Sequence, residues 1–442
     1  MAGILNSPMR ERVYFPLAEL IAGRKIRSKM RDLAEWQNSS PQEKQKRYAK
    51  ALGQTIEYAG ARVPYYRDLF RRINFQTEKI YRDVAWINEI PYLTKEIVRM
   101  QPERFVSDDY KLSDLAERKT SGSTGLTLSF YYSRDDLDIA SAVLRHFDKL
   151  TGNDFFQNEV HLRLISPRSE KHEWRARAAE RIKNHIINRS VIELIELNHE
   201  TSVECLEQLR KISPYFIYST RSSFESVLRI ADNPDLARGV CSVYVNSGET
   251  LDRRSADYIS IQIGCKVINR YGNAEFGAVA QSQTDVQSLR FVDGIVWPEN
   301  FTIEGMREIV LTTLAARAMP LIRYRTGDLG EVSPDSSGGF SLNNVIGRLH
   351  DLIHVGQRVF TTAYLSDLLS QKFDVHDFQI LSSEADTSLE FRVVLDCPEN
   401  MQKIGAELQS LLGVPVKMVR IRISDLIRRG RQMKFSHVVQ GA

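Results

Sequence analysis

Four short segments of this 442-residue chain carry residue types suited to handling a nucleoside triphosphate. The first is Thr120-Ser-Gly-Ser-Thr-Gly125. Its two glycines let the backbone approach a ligand closely, and its hydroxyls add donors to the backbone N–H groups, so the loop can wrap a polyphosphate. It is not a Walker loop, because no Gly-Lys-Ser/Thr follows, and taken alone it also reads as a flexible turn. The second, Tyr271-Gly-Asn-Ala-Glu275, sets an aromatic ring, a glycine turn and a carboxylate just after a strand. The third, Arg323-Tyr-Arg-Thr-Gly-Asp328, puts an aspartate at a tight turn after an apolar strand at 319–322. The fourth is Gly347-Arg348, leading into Asp351. An aspartate can accept hydrogen bonds from both ribose hydroxyls, a glutamate can hold Mg²⁺ through oxygen, and arginines can neutralise phosphate charge.

The elements that must position these groups follow from pattern. The first hundred residues read as helical: Ser40 caps a helix over 41–60, Gln42 and Glu43 lie in its first turn, and Tyr48, Leu52, Ile56 and Tyr58 form its stripe. Breaks are expected at 61–66 and 90–94. The basic stretch 17–36 reads as a packed or solvated helix in preference to a membrane-surface one. From residue 110 the pattern alternates. Strands are expected at 127–132, 160–166, 216–219, 242–246 and 266–269, and helices at 135–150, 204–212 and 222–231. This alternation implies a mostly parallel sheet. After Gly330 the texture changes: a loop at 334–339, a boundary at 348–356, and a small α+β unit with strands at 379–382, 391–395 and 416–423.

Composition narrows the class. Hydrophobic residues make up 42% and charged residues 26%, enough for a packed core. The net charge of +4 sets 60 basic against 56 acidic residues, which calls for no nucleic acid and suits a site that gathers phosphates. Cys205, Cys241, Cys265 and Cys397 form no CxxC pair, so neither zinc nor a redox dithiol is signalled. There is no apolar leader and no run of 18 apolar residues; the expectation is a cytoplasmic protein without a membrane partner.

In this order and spacing the four segments resemble the adenylate-forming superfamily of acyl-CoA synthetases, peptide-synthetase adenylation domains and luciferases. Pro64-Tyr-Tyr-Arg67, Ile90-Pro-Tyr-Leu-Thr-Lys95, Ser247-Gly-Glu249 and the run from Met319 to Asp328 are similar to phenylacetate-CoA ligases and their capsular-polysaccharide-type relatives. The likeness covers nearly the whole chain. It implies an α/β fold with a large multi-sheet N-terminal domain over 1–348, which binds ATP and the acid, and a small mobile α+β C-terminal domain over 349–442. It implies that Ser121, Gly122, Ser123, Thr124 and Gly125 grip the pyrophosphate end of ATP, with Tyr271 and Gly272 beside the adenine. Glu275 would bind Mg²⁺, Asp328 the ribose diol, and Arg348 the ribose and phosphates. Lys434 is the best match for the lysine that bridges acid and α-phosphate, and Arg431 is its rival. The implied reaction activates a small-molecule carboxylic acid, aryl or otherwise small, as an acyl-AMP, with coenzyme A as the acceptor of the nearest relatives. A carrier-protein thiol or an amine is the alternative acceptor, and a nucleotide-binding scaffold without turnover the alternative of another class. Pattern fixes neither the acid nor the oligomeric state.

Apart from Leu126-Thr127 after the phosphate loop, where many relatives have a proline at the second place, the departures from the family pattern gather in one place. His350 stands where relatives often have the hinge aspartate. Residues 353–360 lack the usual Asn-Val-aromatic-Pro run, and Arg428-Arg-Gly-Arg-Gln-Met-Lys434 has no glycine directly before its lysine. All serve the second step, so the resemblance speaks to adenylation first and to CoA transfer second. Elsewhere His161 reads as a core residue, and Ser247-Gly-Glu249 and Ser219-Thr-Arg221 also read as ordinary strand ends.

Overall fold

The computed structural model describes residues 9–120, 128–152, 157–166, 174–382, 388–430 and 433–440. The phosphate-loop residues Ser121 to Gly125 and the rival cation Arg431 lie outside them. The fold is mixed α/β, and the chain forms two compact units. One comprises residues 1–157, 181–188 and 268–344, the other 158–180, 189–267 and 345–442.

The first unit begins with helices. Ser40 and Glu43 make a reciprocal capping box at the start of Pro41–Arg62. Tyr48, Leu52, Ile56 and Ala59 then repeat at three- and four-residue spacing and are all buried. Side chains of this kind stabilise by roughly 1.5–3 kcal/mol each when fully buried. The break expected at 61–66 is only one extended residue, Val63, because Pro64 opens the next helix, Pro64–Arg72. A proline at the first helical position loses no hydrogen bond.

The strands of this unit run in the order Val296–Ile303, Met306–Thr313, Tyr324–Pro334, Phe340–Arg348, Ser288–Phe291, Gly277–Ser282 and Lys266–Asn273. Most of these neighbours pair antiparallel. The expectation of a mostly parallel sheet therefore fails here. Short turns such as 274–276 and 304–305 join these strands, and such turns connect only antiparallel neighbours. The expected apolar strand at 319–322 is absent as well. These residues are buried but irregular, with Arg323 at φ +52°, and the strand begins at Tyr324.

In the second unit the alternation holds. Val243–Ser247, Phe216–Ser219, Glu159–Leu164 and Arg189–Leu194 lie side by side, all parallel. Helices His199–Ile212, Arg221–Ala231 and Arg253–Ile263 cover an apolar core that includes Val160, Leu206, Phe224, Tyr244 and Ile259. The same unit holds a four-stranded sheet in the order Val416–Arg420, Leu389–Val394, Asp377–Ser382 and Val438–Gln440, packed with helices Thr362–Phe373 and Met401–Leu412. Cys205, Cys241 and Cys265 are buried free thiols, whereas Cys397 is exposed.

Candidate active site

Two carboxylates and a tyrosine from distant parts of the sequence meet in the first unit. Asp328 sits inside the Tyr324–Pro334 strand, at an irregularity. Arg325 pairs with Val310 and Leu329 with Glu308, so residues 326–328 bulge out of the ladder. Gly327 makes this possible at φ +77°, a conformation that favours glycine. Two buried side chains hold the bulge. Thr326 donates to the Ile309 carbonyl (2.8 Å), and Glu308 accepts from the Gly327 N–H (2.9 Å) while pairing with Arg325 (2.6 Å). The tight turn read from the sequence is thus a strand bulge, and Asp328 is its projecting member.

The Tyr271 phenol donates to Asp328 Oδ2 at 2.9 Å. Burial, and then the neighbouring Asp328 carboxylate, push this phenol well above its ordinary value, so it remains a proton donor. Tyr271 belongs to the Lys266–Asn273 strand, whose register shifts just after it. A side chain at Gly272 would run into the Gly277 carbonyl, so the glycine of this motif is there for close strand approach.

Glu275 occupies the turn between Lys266–Asn273 and Gly277–Ser282. Its Oε1 accepts from the phenol of fully buried Tyr324 at 2.9 Å. Burial, then Glu275 itself, raises the Tyr324 phenol. The Tyr132 hydroxyl secures the turn from the other side, donating to the Ala274 and Glu275 carbonyls. Tyr324 thus links the two motifs: it precedes Asp328 by four residues and touches Glu275.

The arginines of the third segment are not available to a phosphate. Arg323 is buried, pairs with Glu299 (3.1 Å), donates to the Ile90 carbonyl (2.7 Å) and lies over Tyr92. Arg325 is committed to Glu308 and lies over Phe301. The general expectation of phosphate-neutralising arginines is therefore corrected for these two, because Glu299 and buried Glu308 claim them. Another cation lies beside the bulge, Lys95. Its Nζ lies 3.3 Å from where a side chain on Gly327 would begin, and it forms no ion pair among the described residues. The sequence motif that contains Lys95 was legible, but its nearness to Gly327 comes only from the parallel bridge between Leu93 and Tyr324.

The remaining expected residues belong to the second unit. Arg348 ends the Phe340–Arg348 strand and is exposed, directly after Gly347 at φ +126°. His350 is in the short turn Leu349–Asp351, with its ring nitrogen 3.8 Å from the Asp351 carboxylate. Asp351 also accepts from Ser436 at 2.7 Å. Lys434 lies in a two-residue strand, Lys434–Phe435, paired with Arg428–Arg429. Glu249 is not part of the carboxylate pair above. It accepts from the N–H and hydroxyl of Ser222 at 2.9 Å each, fixing the start of the Arg221–Ala231 helix, which agrees with the strand-end reading.

No protein-family model matches the chain. Protein CapK of Staphylococcus aureus is 24% identical over 368 residues, covering 79% of this chain and 79% of that protein. Among solved structures, 2-hydroxyisobutyryl-CoA ligase, in the postadenylation state with R3-HIB-AMP, matches with a TM-score of 0.68 at 17% identity, over 89% of this chain and 88% of that one. The anthranilate CoA ligase AuaEII in complex with anthranoyl-AMP matches at 0.53 and 13%, over 81% and 74%. ATP-bound MatB from Rhodopseudomonas palustris matches at 0.51 and 16%, over 75% and 68%. The chain has the fold of the adenylate-forming acyl-CoA ligases.

Proposed function

We propose that this chain activates a carboxylic acid with ATP, releasing pyrophosphate and forming an acyl-AMP, and then passes the acyl group to the thiol of coenzyme A. The observation that carries the reading is the Asp328 bulge, where a glycine-enabled projection presents a carboxylate oriented by a phenol, beside Glu275. The likeness to ligases solved with ATP or an acyl-AMP supports it. In this reading Asp328 accepts from the ribose hydroxyls, and Tyr271 and Gly272 border the adenine. The loop from Ser121 to Gly125 grips the pyrophosphate.

Among the described residues no cluster of three His, Cys, Asp or Glu side chains is arranged to hold a metal. Mg²⁺ needs no such cluster, being commonly held by one or two carboxylates together with substrate phosphates and water. Glu275 would supply the protein oxygen, and the ion, when bound, would neutralise polyphosphate charge. The acid attacks the α-phosphorus in line, and the protein's task is to hold two anions together and offset the charge that develops. Lys434 is assigned that duty, with Arg348 on the ribose and phosphates. The division into 1–348 and a mobile 349–442 hinged at His350 belongs to the same reading.

A second acceptor is favoured by a specific observation. Apart from Leu126-Thr127, the departures from the family pattern lie between His350 and Lys434, so a carrier-protein thiol or an amine replaces coenzyme A if the thiol goes unused. The test is pyrophosphate exchange across a panel of aryl and small organic acids, followed by coenzyme A consumption with the best acid. Acid-dependent exchange is expected. Exchange in no case, with ATP still bound, would make the chain a nucleotide-binding scaffold. In Lys434→Ala the exchange should fall on the order of 10²–10³-fold, as for loss of one preorganised transition-state contact. Normal exchange there with collapse in Arg431→Ala would move the role to Arg431.

A further inference from the structure

The most exposed apolar side chains near the start of the described chain lie along one helical arm. A π-helical turn, Arg10–Tyr14, runs into helix Phe15–Ile21, and the chain turns at Gly23 into helix Ile26–Asn38. Val13 and Leu17 are each 51% exposed, Leu20 78% and Ile21 79%. Their spacing of four, three and one residues places them on one side of the helix. The opposite side is packed, with Phe15 and Glu19 buried.

The arm is fastened, so this apolar side is held outward. Buried Glu19 accepts from the backbone and side chain of Arg27 (2.8 and 2.6 Å). Asp138, 2% exposed, accepts from the Arg24 side chain and the Lys25 N–H. Lys29 pairs with Asp135 at 2.8 Å, and Arg10 donates to the His185 carbonyl.

Charge decides what such a surface fits. Between Met9 and Arg31 the chain has seven basic residues and two acidic ones, more than the whole chain's net +4. Arg12, Lys25, Arg27 and Arg31 are exposed. A second copy docked through a twofold contact would set this basic patch against itself. Four apolar side chains also fall well short of the roughly 800 Å² per partner of a stable protein interface. An apolar helix side flanked by cations is what an anionic bilayer surface accepts: apolar groups enter the headgroup boundary, and the cations meet lipid phosphates.

We propose that the arm formed by Arg10–Tyr14, Phe15–Ile21 and the start of Ile26–Asn38 docks the protein peripherally on an anionic lipid surface through Val13, Leu17, Leu20 and Ile21. The inference is independent of the adenylation reading. The test is co-sedimentation of the full chain with vesicles of phosphatidylcholine alone or mixed with phosphatidylglycerol. Partitioning onto the anionic vesicles is expected, with a drop on the order of tenfold at high salt, in Leu20→Ser/Ile21→Ser, and in Arg12→Glu/Lys25→Glu. Thermal unfolding and pyrophosphate exchange should be unchanged in both variants. Equal partitioning onto both vesicle types, no partitioning, or wild-type binding retained in both variants would overturn the proposal. So would light scattering that finds a dimer which Leu20→Ser/Ile21→Ser converts to monomer, since that would assign the surface to a second copy.

Discussion

A carboxylate that is to grip a ribose must be aimed and held in place before the ligand arrives. Asp328 meets these needs through Tyr271, whose raised phenol keeps its proton and donates at 2.9 Å. If Asp328 binds the ribose, Asp328→Ala should weaken ATP binding by about 1.5–3 kcal/mol, the range for hydrogen bonds to a charged group. Tyr271→Phe should weaken it less, because the carboxylate stays and only its orientation loosens. Calorimetry with ATP would separate the two, and unchanged affinity in Asp328→Ala would remove that residue from the site. Glu275 leads to a different expectation. Glu275→Gln keeps the Tyr324 contact sterically possible but removes the charge, so the Mg²⁺ concentration giving half-maximal exchange should rise. A superimposable Mg²⁺ titration would discount the role. The chemistry-bearing residues of this pair were legible in the sequence because each sits in a short motif with a glycine beside it. Their supports were not. Tyr324 was visible only as a motif member, and Glu308 not at all. A buried glutamate 19 residues before Gly327 becomes its hydrogen-bond partner only through strand pairing.

At the scale of elements, the segments Pro64-Tyr-Tyr-Arg67 and Ile90-Pro-Tyr-Leu-Thr-Lys95 serve one stretch of backbone. Residues 319–323 form no regular ladder, so their buried polar groups need other partners. Tyr66, from Pro64-Tyr-Tyr-Arg67, accepts the Ile322 N–H at 2.8 Å. Leu93, from Ile90-Pro-Tyr-Leu-Thr-Lys95, donates to the Arg323 carbonyl and accepts from Arg325, at 2.9 and 2.8 Å. These motifs scaffold the strand that carries Asp328. Tyr66→Phe should leave the Ile322 N–H buried and unpaired, at a cost of about 1–3 kcal/mol. Urea unfolding would measure it. If the segment shifts, ATP affinity should fall too, although Tyr66 touches no proposed ligand group. Full stability in Tyr66→Phe would mean that another acceptor, or water, replaces the phenol. Strands Glu159–Leu164, Phe216–Ser219 and Val243–Ser247 and helices His199–Ile212 and Arg221–Ala231 were readable because each carries a 3.6- or 2-residue period between turn residues, whereas strand Arg189–Leu194 and helix Arg253–Ile263 were not read. The antiparallel half was misjudged. A strand's period does not reveal its direction, and the turns that set it, at 274–276 and 304–305 among others, are short. The irregular 319–323 segment looked like a strand because burial without a ladder leaves the same apolar pattern.

At the scale of the molecule, the closing segment of the chain is tied to helix Arg221–Ala231 within the second unit. Arg221 and Asp377 are both buried and pair at 2.8 Å, with Glu225 3.5 Å from the same guanidinium nitrogen. Arg221 also lies over Phe435, Arg428 donates to Ser226 at 2.9 Å, and Met433 packs against the helix-covered core. The Arg221–Asp377 pairing was not legible, because the two stand 156 residues apart and Asp377 belongs to no motif. Burial alone would raise the Asp377 carboxyl. The Arg221 charge, assisted by His437 3.6 Å away, outweighs burial and holds it below the ordinary carboxylate value. The sign of the pH dependence follows. A carboxyl whose folded value is depressed contributes its stability above the unfolded value, about 3.9, and loses it as pH falls through the folded one. Asp377→Asn should therefore cost stability at neutral pH. The cost should approach the lower end of the roughly 3–5 kcal/mol for breaking a buried pair, because Glu225 still faces Arg221. The difference between wild type and variant should stay level from neutral pH down to about 4 and shrink below it. Urea midpoints of both proteins across that range would follow the difference. A gap that persists unchanged well below pH 4 would mean the variant acts through packing, not through the charge that Asp377 brings to Arg221.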